Sequence, residues 1–486
     1  MFRSVLPTPH SVPRTPYSVL RTVVQTFLFT AVLASPVPAA AQAPDTDSTA
    51  LLLAQLIRAN SSNPPGHTQQ IADILGPLFR ARGFQVDIVP TPDSAKVHFF
   101  ARLKGNGSKK PLLLAAHADV VGVEREKWSV DPFAGVIKDG SVYGRGAIDF
   151  KGGIAVFARA AMLLADRKVP LDRDIIFLAE ADEEGAPMNT TWLARQHWDK
   201  MDAEFALNEG GWIIKRDDGR VQYVSISTSD KRVMSVTLTA KGTSTHASMP
   251  LPDNALVTVG RALAKLGLYE TPLEFTPDSR KYFATLAKTS TGETARLYTQ
   301  LLNGTPAQVS AADKALSRDP LIHSLMRNTI APVIVAGGFR SNVIPGSAEV
   351  TLNVRLIPGS DGAALISTLE KLFNDPLLTV KMSAALAPAS PASPDTSLLY
   401  RALAAESKTQ WPEAEVTPYL FQAGTDAGAW RNRGIPVFGI YPYPISTDEL
   451  RRMHGNDERV SVESLREGTE MMFRTLKRVA GSESGR

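Results

Sequence analysis

The sequence predicts an α/β protein with a mainly parallel sheet, interrupted by a smaller α+β domain of ferredoxin-like order. Three observations carry this. Short continuous apolar runs, LLLAA at 112–116 and IIFLA at 175–179, read as strands covered on both faces. Amphipathic helical patterns alternate with such runs over 49–228 and again over 395–480, the signature of an α/β layer structure. Between 229 and 386 the order becomes βαββαβ, a split unit inserted into the larger domain.

Within the first part, Leu51–Ile57 and Gln69–Arg82 read as amphipathic helices, and Ile154–Leu164 as a buried one. Val97–Leu103, Pro111–Ala116 and Ile175–Ala179 read as strands. In the inserted unit, Val233–Thr239, Val333–Ala336, Ala348–Leu356 and Leu378–Met382 are strands, and Asn254–Leu266 and Gly362–Phe373 helices. Residues 268–330 interrupt that unit with a polar, helical-looking insertion. After the Pro/Ala/Ser-rich stretch 387–395, Ser397–Ser407 reads as a helix, Pro436–Tyr441 as a strand and Val462–Val479 as the last helix. No internal repeat is visible.

The chain has 486 residues, a length typical of two to three domains. Apolar residues make up 43% and charged residues 21%, which excludes disordered, collagen-like and multi-span membrane classes. Cysteine is absent, so there is no disulfide, thiolate metal site or cysteine nucleophile; a metal must be held by His, Asp or Glu. Arg3, Arg14 and Arg21 precede or border the apolar run Thr22–Ala34, followed by SPVPAAAQAPD. That order predicts a signal peptide over 1–43, cleaved after Ala41 or Ala43, and a secreted or periplasmic protein. A frayed helix and an uncleaved anchor are the alternatives, although the run is short for a bilayer. The leader has no acidic residue, so losing its three arginines takes the formal net charge from +4 to +1. The mature chain then offers no charge for nucleic acid and no membrane span.

Eight histidines allow each neighbourhood to be weighed. His117 closes the strand LLLAA, with Asp119 two residues on and on the same side of an extended segment. Strand C-terminal ends are where α/β sheets place ligands, yet His-x-Asp alone is weak. Asp149, in YGRGAIDFKGG, opens the buried helix; it reads either as a helix cap or as a carboxylate bridging two cations. Glu183 and Glu184 end the run EADEE, either a solvated acidic loop or a cluster needing a cation. Glu209 follows the short run FALN, and His454 lies in a loop before the last helix. His117, Asp149, Glu184, Glu209 and His454 make two nitrogen and three carboxylate donors, a set suited to two Zn2+ ions, with Co2+ or Mn2+ not excluded. His10, His67, His98, His197 and His323 lack such partners and read as surface or core residues.

The segments HAD at 117–119, YGRGAIDFKGG at 143–153, EADEEG at 180–185, NEGG at 208–211 and HGNDERV at 454–460 together resemble the dinuclear-zinc amidohydrolases and exopeptidases. That group includes glutamate carboxypeptidase, carboxypeptidase S, aminoacylase and succinyl-diaminopimelate desuccinylase. The five motifs run in order through nearly all of the mature chain, which makes the resemblance specific. The insertion and WSVDPFAG at 128–135 are most similar to the carboxypeptidase S and secreted N-acyl-amino-acid hydrolase branch. After Glu184 this chain has GAPMNTTWL where the family usually carries a glycine-rich run.

The resemblance implies a zinc-exopeptidase domain with an inserted lid/dimerisation domain, and a homodimer through that lid as one option. It implies that His117 and Glu209 bind one zinc, Glu184 and His454 the other, and Asp149 both. Asp119 would orient His117 and Glu183 would be the general base. In the lid, His246 of KGTSTHASMP would stabilise an oxyanion, in some members from the partner subunit. Asn342 and Arg355 resemble residues that grip a substrate carboxylate, and Gly424, Thr425 and Asp426 of AGTDAG a substrate-side loop. The implied reaction is hydrolysis of a peptide or amide bond next to a free carboxylate. A carboxypeptidase or dipeptidase is the first reading, and a hydrolase of N-acyl amino acids the second. A binding protein on the same fold is less favoured, since a pure binder has no use for Glu183.

Overall fold

A computed structural model describes residues 47–383, 386 and 389–482. The leader expected at 1–43 lies outside the described residues. Among these, no helix is long and apolar enough to cross a membrane.

The large sheet has ten strands and is parallel at its centre. Leu112–His117 lies between Ile175–Glu180 and Phe205–Asn208, parallel to both. Val437–Gly439 continues the parallel run beyond Phe205–Asn208. The two apolar runs are buried at every position, as strands sandwiched between helices must be. On one side lies Lys151–Asp166, buried along most of its length, with Ser48–Arg58 and Val462–Ala480 packed on it. Phe79, Phe84, Phe99 and Phe177 close the core there with ring centroids 4.9–6.3 Å apart.

A second sheet has the order Thr329–Gly337, Ser347–Leu356, Arg232–Lys241, Leu378–Met382, all antiparallel. This is the ferredoxin-like strand order. Ala255–Leu266 and Gly362–Phe373 cover one face. Along Ser347–Leu356 burial alternates, so Val350, Leu352 and Val354 face the helices while Thr351, Asn353 and Arg355 face the other way. A ribbon of Thr245–His246 and Val343–Ile344 projects from this sheet's neighbourhood. The two sheets meet at Asp230–Arg232, where one long strand ends and the next begins.

The insertion differs from its expected place. Sequence order puts 268–330 within the smaller unit, but its helices Pro277–Thr289, Gly292–Asn303 and Pro306–Leu316 join the core of the large sheet. The reason is aromatic. Tyr282 packs edge-on against Tyr223 and Tyr419, with centroids 5.7 and 4.9 Å apart, and Phe283 lies 6.1 Å from Tyr298. Buried Arg327 fastens the insertion's end, pairing with Glu270 at 2.6 Å and with Asp313.

Phe283 is fully buried in the core cluster that the insertion shares with the large sheet. Phe283→Ala should therefore destabilise the whole chain by about 3–5 kcal/mol, read from its urea unfolding curve. An insertion resting only on the smaller sheet's exposed side would lose far less.

Candidate metal centre

The C-terminal ends of the parallel strands bring His117, Glu184 and Glu209 to one place, as expected of an α/β sheet, and turns outside those strands bring Asp149 and His454 to it. His117 ends its strand and Glu209 follows the neighbouring Phe205–Asn208. Asp149 does not cap the helix that follows, so the capping alternative fails; Phe150 occupies that position without a side-chain bond. Instead its carboxylate points inward. Oδ1 is 3.0 Å from His117 Nε2 and Oδ2 is 3.0 Å from His454 Nε2. Glu184 Oε1 is 3.0 Å from the same His454 nitrogen, and Glu209 Oε2 is 3.5 Å from His117 Nε2. Ligand atoms of His117, Asp149 and Glu184 lie within 4.8 Å of one another, as do those of His117, Glu183 and Glu209. His454 holds its position at φ 59°, a left-handed conformation that a non-glycine residue adopts at a cost of about 1 kcal/mol.

Two histidines meeting the two oxygens of Asp149, each with a further glutamate beside it, fit a pair of divalent cations. The electrostatics agree. Hydrogen bonds to Asp149 and Glu184 push His454 up to about 10. Burial opposes charge on His117, yet Glu209 and Asp149 hold it well above its usual value. Burial would raise Asp149, but His117 and His454 hold it low. Burial lifts Glu209 to about 7, and burial with Glu209's charge lifts Glu183 well above the carboxylate range.

Asp119 departs from its expected part. The His117 Nδ1–H donates to the backbone carbonyl of Asp119 at 2.9 Å, while the carboxylate lies 3.9 Å away. That carboxylate accepts the backbone N–H groups of Glu183 and Glu184 at 3.2 and 3.1 Å. Asp119 thus shapes the acidic turn, and the chain's own backbone fixes the histidine tautomer.

Several supports escaped the motif reading. Asn63 Nδ2 donates to Asp119 Oδ2 and to Asp182 Oδ1, both at 2.8 Å, and Lys96 pairs with Asp182 at 2.7 Å. His98 accepts the Ala181 N–H and donates to the Met188 carbonyl, which makes it a core residue behind the acidic turn. Buried Glu458 accepts the N–H groups of Ile148 and Asp149 at 2.7 and 3.1 Å and pairs with Arg145 at 2.5 Å. Arg145 in turn donates to the His454 carbonyl at 3.2 Å. The Tyr441 hydroxyl lies 3.1 Å from Asp149 Oδ1 and 3.0 Å from Glu209 Oε2. Glu458 and Arg145 lie inside quoted motifs; Asn63 and Tyr441 carry no local signal.

The remaining predicted residues divide. Arg355 is half-buried on the smaller sheet's polar face, held by Asn353 at 3.0 Å. Its guanidinium comes within 4.0 Å of where a Cβ on Gly424 would stand, and burial lowers its pKa against the opposing charge of Glu183. Asp426 is buried and raised by burial to about 6, facing the buried Glu180. The Thr425 hydroxyl donates to Asp230 Oδ2 at 2.7 Å, which ties its loop to the junction between the sheets. His246 and Asn342 sit together on the exposed ribbon, where Ala247 N–H bonds the Asn342 carbonyl and His246 Nδ1 meets Ser248 Oγ at 2.8 Å. Among the described residues, nothing joins either of them to the metal cluster.

The sequence profile of peptidase family M20/M25/M40 matches residues 113–478, a span holding every proposed ligand. The chain belongs to that family. M20 proteins are hydrolytic metalloenzymes, so this chain is one. It is 27% identical over 399 residues to the human N-fatty-acyl-amino acid synthase/hydrolase PM20D1, covering 78% of this chain and 76% of that one. It is 26% identical over 377 residues to the probable carboxypeptidase S-like 2 of Dictyostelium discoideum, covering 76% and 72%. Among solved structures, the M20 metallo-carboxypeptidase Sso-CP2 of Sulfolobus solfataricus superposes with a TM-score of 0.66 at 18% identity, over 89% of this chain and all of that one. Human carnosine dipeptidase 1 does so at 0.61 and 17%, over 88% and 95%. These two show the M20 fold.

His454 is raised to about 10, so the metal-free protein carries its proton at pH 8. A ligand nitrogen must shed that proton. Zinc loading at pH 8 should release about one proton or more per chain, read by calorimetry in two buffers of different ionisation heat. The apparent affinity should weaken as pH falls.

Proposed function

We propose that this M20 chain is an exported hydrolase that cleaves an amide bond beside a free carboxylate, using two zinc ions. The observation that carries this is the Asp149 carboxylate, whose Oδ1 lies 3.0 Å from His117 Nε2 and whose Oδ2 lies 3.0 Å from His454 Nε2. His117, Asp149 and Glu209 would hold one ion, and Asp149, Glu184 and His454 the other. Bound there, the pair would supply Lewis acidity and a water of lowered pKa. Glu183, clustered with His117 and Glu209, takes the proton of the attacking water and hands it to the leaving nitrogen.

Arg355 grips the substrate carboxylate with its planar fork. Its half-buried position against Gly424, within the field of Glu183, supports that part. The loop of Gly424, Thr425 and Asp426 borders Arg355 on the substrate side, and Asn342, beside the ribbon that carries His246, would join it only when that ribbon closes on the site. His246 reaches the oxyanion only after the lid closes, or from the lid of a second copy. The outward Val333, Ile334 and Val335 on the edge strand of the lid sheet support pairing of two copies. The Arg-led apolar segment at the start of the chain supports export. The acyl side is a peptide or an N-acyl group, in keeping with the names of the relatives.

Glu183→Gln should keep close to two zinc equivalents per chain while kcat falls by about 10²–10⁴-fold. Near-normal turnover would remove Glu183 from its role. Carboxyl-amidated substrates should be poor, and Arg355→Ala should chiefly raise KM; equal rates on amides and free acids would refute the clamp. Light scattering of the purified chain should report a dimer, and a fully active monomer would leave His246 to lid closure within one chain.

A further inference from the structure

Tyr441 follows the strand Val437–Gly439 and is fully buried between the two turns that carry Asp149 and Glu209. Its ring stacks on Trp212, with centroids 4.2 Å apart and planes 11° from parallel. It meets Phe150, the residue after Asp149, edge-on at 5.0 Å. Backbone bonds fix the same corner. The Ile440 N–H donates to the Asn208 carbonyl at 2.9 Å, the Gly211 N–H to the Gly439 carbonyl at 3.2 Å, and the Tyr441 N–H to the Gly211 carbonyl at 2.7 Å. A Cβ on Gly439 would collide with the Glu209 carbonyl, so only glycine lets the two segments come this close. The ring is therefore wedged beside both ligand-bearing turns and held from both flanks.

The Tyr441 hydroxyl lies 3.1 Å from Asp149 Oδ1 and 3.0 Å from Glu209 Oε2. The same two oxygens lie 3.0 and 3.5 Å from His117 Nε2. Imidazole and phenol thus face one pair of carboxylate oxygens. A phenol has a single proton and donates to one oxygen at a time, so its lone pairs face the other. A cation drawing charge from both oxygens relieves that contact. We infer that Tyr441 is a positioning residue for the ion held by His117, Asp149 and Glu209: its hydroxyl keeps both carboxylate oxygens turned toward His117 Nε2. The inference rests on the two-ion reading and deepens it, because it makes the two sites unequal. Among the described residues, no hydroxyl reaches Asp149 Oδ2 or Glu184 Oε1, and the His454 side chain is 45% exposed where that of His117 is 1% exposed. A donor behind a ligand fixes its orientation and adds to the hold on the metal. The buried site is accordingly the tighter one, and the Tyr441 hydroxyl is a cause of that difference.

The test is a zinc titration of the full chain against a chromophoric chelator, with folding checked by urea unfolding. His454→Ala removes a ligand of the exposed site and should leave one zinc per chain. Tyr441→Phe in that background keeps the ring and its stack but removes the donor, and should weaken the remaining zinc by about 10–100-fold. Tyr441→Phe alone should weaken one of two zincs and leave the other almost unchanged. Trp212→Phe loosens the stack and spares the hydroxyl, so it should cost less zinc affinity than Tyr441→Phe. If Tyr441→Phe does not fold, 4-fluorophenylalanine at 441 fills the hydroxyl's place without a donor and is read in the same way. Equal zinc affinity with and without the hydroxyl overturns the inference. An equal loss in Trp212→Phe and Tyr441→Phe also overturns it, since packing alone would then account for both. A wild type that takes up a single zinc refutes the two-ion reading, and the inference survives it only if that zinc weakens in Tyr441→Phe. Uptake of no zinc refutes both.

Discussion

One carboxylate organises the centre. Asp149 spends its two oxygens on two histidines that come from opposite ends of the chain. Around it stand Glu183, Glu184 and Glu209, more negative charge than a buried site tolerates without compensation. The surrounding acids hold both imidazoles above their usual pKa and burial raises Glu209, and a pair of cations would answer with fixed charge. Every other feature of the region either aims that carboxylate or absorbs its consequences.

The aiming is done by backbone as much as by side chains. Glu458 grips the N–H groups of Ile148 and Asp149, so the turn that presents Asp149 is held from beneath. Asp119 does the same for the turn of Glu183 and Glu184. Asn63, Asp182 and Lys96 then anchor Asp119 in a chain of charge-assisted contacts. The two turns bearing Asp149 and the Glu183–Glu184 pair are thus each clamped by a buried carboxylate accepting consecutive N–H groups. That shared device gives reactive groups precise placement without placing them on long, mobile side-chain paths.

Much of this was legible in the sequence. The runs LLLAA and IIFLA read as strands covered on both faces, and they are buried at every position. The five donors stood out because each sits at a strand end or turn within its own motif. Other features were hidden for physical reasons. Spacing of two suggested that the Asp119 carboxylate meets His117, but the chain leaves the sheet after His117 and offers its carbonyl instead. Asn63 lies 56 residues from Asp119, and no local pattern announces such a pairing. Sequence order placed 268–330 with the lid, whereas burial of Tyr282 and Phe283 placed it on the large sheet. Contiguity along a chain is a weak guide once an amphipathic helix has two apolar surfaces to choose between.

The contact between Arg145 and Glu458 spans 313 positions, and that between Asn63 and Asp182 spans 119. Such separations make this a centre of high contact order, closed only after the chain has paid most of its loop entropy. A growing chain therefore has no finished metal pocket until its last segment emerges from synthesis. The candidate ligands therefore come together only when segments more than 300 positions apart have closed on one another, which ties the geometry of the centre to completion of the whole fold.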